Sequence, residues 1–201
     1  GFATAMFGLV AADNFLLMYV FWEITSLLSY LLVSYYAERA SSRRAAQQAL
    51  MVTALGGLTM LMGIILLGRQ AGAWTFSDIS AYENFAQTPY VTVAIVLILA
   101  GALTKSAIVP AHFWLPGAMA APTPVSAYLH SAAMVKAGIY LVGRLAPSMY
   151  EVATWHVVVI SLGVFTMLLG GWMALKQRDL KLILAYGTVS QLGFITSIMA
   201  V

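Results

Sequence analysis

From Ala102 to Gly143 the chain sets Lys105, His112, His130 and Lys136 in an otherwise uncharged apolar run, broken by Pro110, Pro116, Pro122 and Pro124. No soluble core accommodates this pattern easily. In a bilayer, ionisable residues are rare, face a protein interior, and mark ion or proton paths. Composition agrees with the bilayer: 62% of the residues are hydrophobic, 8% are charged and the mean hydropathy is +0.89, against about 25% charged residues in a soluble domain. The chain is expected to be an all-α polytopic membrane protein.

The net charge of +3 is not a nucleic-acid signal, because basic residues of a membrane protein serve topology and buried function. The chain has no cysteine, which removes disulfides and thiolate metal sites. No cofactor or metal centre is indicated. It opens on Gly1 and stops at Val201 within an apolar stretch, so it is read as an excerpt of a longer polypeptide.

In chain order, Gly1 to Ala12 reads as the end of a span and Asp13-Asn14 as a turn. Phe15 to Tyr36 has the length that a bilayer requires, about 20 residues, and contains Glu23. Tyr19, Glu23, Ser26, Tyr30 and Ser34 recur at intervals of three or four, which gathers them on one helical face. A charged loop, Glu38 to Arg44, precedes the span Ala45 to Gly68, whose Gly56, Gly57 and Gly63 suit close helix contact. Between Arg69 and Pro89, Trp74, Phe76, Tyr82 and Phe85 among polar residues suggest a short amphipathic interfacial helix.

Tyr90 to Ala120 is too long for one span. As unbroken helix it would reach roughly 46 Å against a hydrocarbon core of about 30 Å. Pro110 and Pro116-Gly117 explain the excess as a broken helix, and broken backbone survives at membrane depth only where protein or a water-filled cavity satisfies it. Lys105 falls just before the break. Pro122 and Pro124 then open a new helix that is expected to run to about Arg144 and to carry His130 and Lys136. The six residues between these two place them about 120° apart on an α-helix, on different faces but near one route. Val152 to Leu175 and Leu182 to Val201 give two more spans.

Loops at 37–44, 109–123 and 176–181 fall on one side and carry Arg39, Arg43, Arg44, Lys176, Arg178 and Lys181, whereas the other side carries Arg69 and Arg144. The positive-inside rule makes the first side cytoplasmic.

Glu23, Lys105 and Lys136 lie deep in three helices, where burial disfavours the charged form of each. A lysine that keeps its proton while paired with Glu23 and releases it when the pair opens is a switchable proton site, and His112 and His130 could carry protons to and from it. Each also has a plainer reading: Glu23 and a lysine can pair to hold helices together, and a buried histidine can be structural. His156, beside Trp155, reads as interfacial, and Gly170, Gly171 and Gly187 as contact glycines.

The runs Thr104-Lys-Ser-Ala-Ile-Val-Pro-Ala-His-Phe-Trp-Leu-Pro-Gly, Ala121-Pro-Thr-Pro-Val-Ser-Ala-Tyr-Leu-His-Ser-Ala-Ala-Met-Val-Lys-Ala-Gly and Asp179-Leu-Lys-Leu-Ile-Leu-Ala-Tyr-Gly-Thr-Val-Ser-Gln, with Trp22-Glu23, carry a resemblance over essentially the whole chain. They resemble the antiporter-like subunits shared by Mrp-type sodium/proton antiporters and the membrane arm of respiratory NADH:quinone oxidoreductases. The resemblance implies two inverted five-helix repeats, each with a broken helix. Residues 1–145 would be the first repeat, with its break within 90–120, and 146–201 the first two helices of the second. It implies that Glu23 is the essential carboxylate, Lys105 the central lysine, and His130 and Lys136 the connection to the second half-channel; His112 falls where Mrp large subunits tend to have histidine.

Thr53-Ala-Leu-Gly-Gly stands where the respiratory paralogue usually has Arg-x-Gly-Asp, and favours the Mrp large subunit. The expected activity is then Na+/H+ exchange within a complex of other membrane subunits in the cell membrane, with neither a redox centre nor a nucleic-acid partner in this chain. The alternatives are a respiratory proton-pumping subunit or a structural scaffold.

Overall fold

The structure, a computed structural model, describes residues 1–72, 74–81 and 90–200. Helix α1 (Phe2–Ala11) turns at Asp13-Asn14 into α2 (Phe15–Val33). The Asn14 side chain accepts from the amides of Leu16 and Leu17, at 2.9 and 3.1 Å, which satisfies two donors that a helix start leaves free. Helix α3 (Ala40–Ala71) begins inside the charged loop, ahead of the expected Ala45, and stops at Gly72. There φ is +66°, the left-handed ending that glycine adopts without steric cost. The expected interfacial helix is short, α4 (Phe76–Ala81); Tyr82, Glu83 and Phe85 lie outside the described residues.

Helix α5 (Val91–Lys105) ends at Lys105, and the chain proceeds through short helical pieces, including α6 (Trp114–Gly117) and α7 (Thr123–Ser126). The helix therefore breaks about one turn ahead of Pro110, as expected from a ring that excludes the carbonyl four residues earlier.

The next element corrects the sequence reading. Residues Ala127–Ala133 form a π-helical stretch, and α-helix resumes only at Lys136 in α8 (Lys136–Met149), which runs past Arg144. The switch is visible in the amides: Met134 donates to Leu129 at 2.7 Å, five residues back, while Ala137 donates to Met134 at 3.2 Å. A π-helix has no hydropathy signature that separates it from α, which is why the pattern concealed it. Helices α9 (Ala153–Leu175) and α10 (Leu180–Ile198) complete the chain as a hairpin, with the Asp179 side chain accepting from the Lys181 amide at 2.8 Å.

Three helical segments among the described residues are long and apolar enough to cross a membrane: Phe15–Tyr36, Ala40–Gln70 and Ala153–Leu175. Their outer faces are apolar too, with Leu27, Leu31, Leu55, Leu58, Phe165 and Leu168 exposed. A helix apolar on all sides belongs in lipid or inside a larger assembly. Helix α3 packs on α2 and α5, and α5 on α8, around buried Trp22, Trp114, Met60 and Ile98. Glycines allow the approach. Gly101 leaves no room for a methyl group against Met60 and the Gly56 carbonyl, nor does Gly138 against the Ala102 carbonyl.

Candidate functional site

The helix break positions the site, because it stops α5 with Lys105 wholly enclosed against α2. The Lys105 ammonium donates to the Trp22 carbonyl at 2.7 Å, Thr25 Oγ1 at 2.6 Å and Ser26 Oγ at 3.0 Å. These use all three donors of an ammonium. Thr25 and Ser26 in turn donate to the same Trp22 carbonyl, at 2.7 and 3.1 Å, and the ammonium sits 4.4 Å from the centre of the Trp22 ring. A cation over an indole face is favoured by the ring quadrupole. Every direct ligand of the ammonium is neutral.

Glu23 is partly buried beside this cage, one residue after Trp22. Its Oε1 is enclosed with no hydrogen-bond partner, against Gly57 of α3, where an added methyl group would collide with the carboxylate. The neighbouring Gly56 likewise leaves no room for a methyl group against Thr104. Among the described residues Arg144–Asp13 is the single ion pair, so the direct Glu23–Lys105 pairing considered from the sequence is not formed. Hydroxyls and a carbonyl of α2 have taken the carboxylate's place on the ammonium.

The break is satisfied by protein. Ala107 adopts φ +53°, a left-handed conformation that costs a non-glycine residue on the order of 1–3 kcal/mol and clusters at functional sites. The Val109 amide donates to Thr166 Oγ1 on α9 at 3.0 Å, the Ile108 amide to the Leu103 carbonyl at 2.9 Å, and the Trp114 indole to the Thr104 carbonyl at 3.0 Å. This meets the requirement that non-helical backbone at membrane depth be paired internally.

His130 is 1% exposed and neither ring nitrogen has a partner. Its ring lies 6.0 Å from that of Trp114 and lines a cavity of about 80 Å³ with Ser126, Thr188 and Lys181. Lys181 donates to the carbonyls of Met119 and Ala121, at 2.6 and 2.5 Å, and so closes the far end of the broken segment. Lys136 is exposed and lines a second cavity, of about 390 Å³, with Gly187, Thr188 and Gln191. Leu184 and Thr188 line both cavities. His112 follows the break, partly buried, with Nδ1 enclosed and unpartnered. The structure thus joins Lys105 to α2, and His130 and Lys136 to the α10 side, without a hydrogen bond between Lys105 and either histidine among the described residues. A larger cavity, about 460 Å³, lies at the far end of α3 among Met62, Ile65, Arg69 and Tyr90 and contains none of these residues.

Sequence reasoning missed Thr25, whose spacing from Trp22 is that of a back-bonding hydroxyl, and it read Lys181 as a topology charge. Ser26 belongs to the polar face that the spacing of α2 already marks. His156 is bound at both nitrogens to backbone carbonyls, of Ala200 and Tyr150, at 2.6 and 2.7 Å.

Three apolar helices of spanning length around a broken helix with buried ionisable groups define a polytopic membrane protein. The family model described as NADH:quinone oxidoreductase/Mrp antiporter, TM matches residues 12–201, and the chain belongs to that family. It is 50% identical over 201 residues to a Na(+)/H(+) antiporter subunit of Alkalihalophilus pseudofirmus, covering 98% of this chain and 25% of that protein. It is 46% identical over 200 residues to a probable K(+)/H(+) antiporter subunit of Rhizobium meliloti, covering 99% and 20%. Among solved structures it is similar to the Mrp complex of Dietzia sp. DQ12-45-1b, at TM-score 0.93 and 42% identity over 99% of this chain and 22% of that one. An archaeal respiratory complex, the membrane-bound sulfane sulfur reductase, matches at TM-score 0.90 and 25% identity, over 99% and 41%. The chain spans about a quarter or less of the length of these antiporter relatives.

Proposed function

We propose that this chain supplies a proton-transfer half-channel of a monovalent cation/proton antiporter complex. The observation that carries the reading is the Lys105 ammonium, fully buried and held only by neutral oxygens, with an unpartnered carboxylate oxygen of Glu23 beside it. A lysine so held can exchange these oxygens for Glu23, or lose its proton, at modest reorganisation. His130 and Lys136, lining neighbouring cavities against α10, supply the onward steps, and His112 the approach from the break.

In this reading residues 1–145 form the first five-helix repeat and 146–201 the start of the second. The loops at 37–44, 109–123 and 176–181 face the cytoplasm, and further membrane subunits complete the path. The chain works as a transporter subunit, with sodium or potassium exchanged for protons. Greater identity to antiporter subunits than to the respiratory complex favours this over a respiratory proton pump.

The test is proton movement in vesicles holding the complete complex, with sodium or potassium added and no electron donor. Cation-driven proton movement supports antiport. Proton movement only when an electron donor and acceptor are supplied would transfer the protein to the respiratory branch.

A further inference from the structure

Ser106 and Val135 are joined by a hydrogen bond that connects the two irregular helices. The Ser106 hydroxyl donates to the Val135 carbonyl at 2.7 Å, and Ser106 is wholly buried. Its place in the sequence matters. Ser106 follows Lys105 directly and is the residue at which α5 stops. Val135 precedes Lys136 directly and lies where the π-helical stretch gives way to α8. One hydrogen bond therefore binds the neighbours of both lysines.

Around this bond the two helices leave no slack. A methyl group on Gly138 would collide with the Ser106 hydroxyl and with the Ala102 carbonyl, so α5 and α8 touch backbone to backbone immediately beside it. Ala107, the next residue, holds the left-handed φ of +53°. A strained residue, a helix end and a change of helical register meet at one buried hydroxyl. π segments inside helices and left-handed non-glycine residues both cluster at functional places.

We propose that Ser106 is a positioning residue that couples the state of the Lys105 helix end to the register of the 127–136 segment, so that movement at Lys105 is transmitted to Lys136. The hydroxyl itself carries no proton between the lysines. It holds the Val135 carbonyl to the α5 terminus, and a shift of that terminus pulls on the residue where α8 begins. The inference rests on the antiport reading for its consequence in transport, whereas the mechanical link stands on the geometry alone.

The test uses the complete assembled complex. In vesicles at matched complex abundance, Ser106→Ala is expected to lower the maximal rate of sodium-driven proton movement about tenfold while leaving half-saturating sodium within about twofold, a loss in turnover rather than in binding. Ser106→Cys, which retains a weak donor of similar size, is expected to recover part of the rate. In detergent, amide hydrogen exchange is followed in peptides covering residues 127–140. Lys105→Ala is expected to change exchange there when Ser106 is present, and Ser106→Ala is expected to abolish that dependence, as in a double-mutant cycle.

A Ser106→Ala complex that turns over as the wild type does, or an effect of Lys105→Ala on residues 127–140 that survives Ser106→Ala, overturns the proposal. A wild-type complex that does not respond to sodium or potassium overturns the antiport reading instead, and hydrogen exchange still decides whether Ser106 couples the two helices.

Discussion

The Lys105 ammonium donates to the main-chain carbonyl of Trp22 at 2.7 Å, one residue before Glu23. The lysine thus sits against the helix that carries its prospective counter-ion while bound to other atoms of that helix. In the proposed half-channel, an ammonium that faces a carboxylate keeps its proton and one that faces only neutral oxygens releases it more readily.

Thr25 gives the first test of the cage. Thr25→Val keeps the side-chain volume and removes an acceptor 2.6 Å from the ammonium. Leaving a buried charged donor short of a partner costs at least about 1–3 kcal/mol. The variant complex is expected to show a lower thermal unfolding temperature and about tenfold slower cation-driven proton movement. Wild-type values for both would mean that the cage does not hold the lysine.

Glycine substitutions separate contact from chemistry. Gly57→Ala drives a methyl group into the Glu23 carboxylate, whereas a methyl group at Gly171 makes only an ordinary contact, 3.6 Å from the Ser190 hydroxyl. Displacing a catalytic group by about 1 Å can cost on the order of a hundredfold in rate. Gly57→Ala is therefore expected to reduce exchange at least about tenfold per complex, with Gly171→Ala close to wild type. Equal activity in the two variants would detach Glu23 from the path.

Arg144 clasps one end of the bundle. It donates to the carbonyls of Val10 and Ala12 at 3.3 and 2.6 Å, to the Tyr140 hydroxyl at 2.6 Å and to Asp13 at 3.1 Å, with its guanidinium 4.1 Å over the Phe76 ring. Only a planar fork makes these contacts together. Arg144→Lys is expected to destabilise the complex by about 1–3 kcal/mol, read as a fall in unfolding temperature. A lysine variant as stable as the wild type would show that charge alone suffices.

Much of this was legible in the residues. Membrane class, the broken helix and the burial of Lys105 follow from hydropathy, span length and proline position, since lipid penalises each exception severely, whereas Glu23 is only partly buried and Lys136, expected to be buried, is exposed at the start of α8. The π-helical stretch was not legible, because Ala127 to Ala133 are as compatible with an α-helix as with a π-helix. Nor was the cage. Thr25 and Ser26 look like ordinary helix hydroxyls until α5 stops and directs Lys105 at them, and that placement depends on tertiary packing through Gly56, Gly101 and Gly138. The open Glu23–Lys105 pair has the same origin: spacing within one helix says which residues share a face, not which of several oxygens a lysine from another helix selects.

Lys105 is proposed as the titrating group of a proton half-channel, and removing it decides that role. Cation-driven proton movement is measured in vesicles containing the full complex, for wild type and Lys105→Ala at matched abundance, without an electron donor. The account predicts activity in the wild type that Lys105→Ala abolishes while the complex still assembles. Undiminished exchange in the Lys105→Ala complex would contradict it.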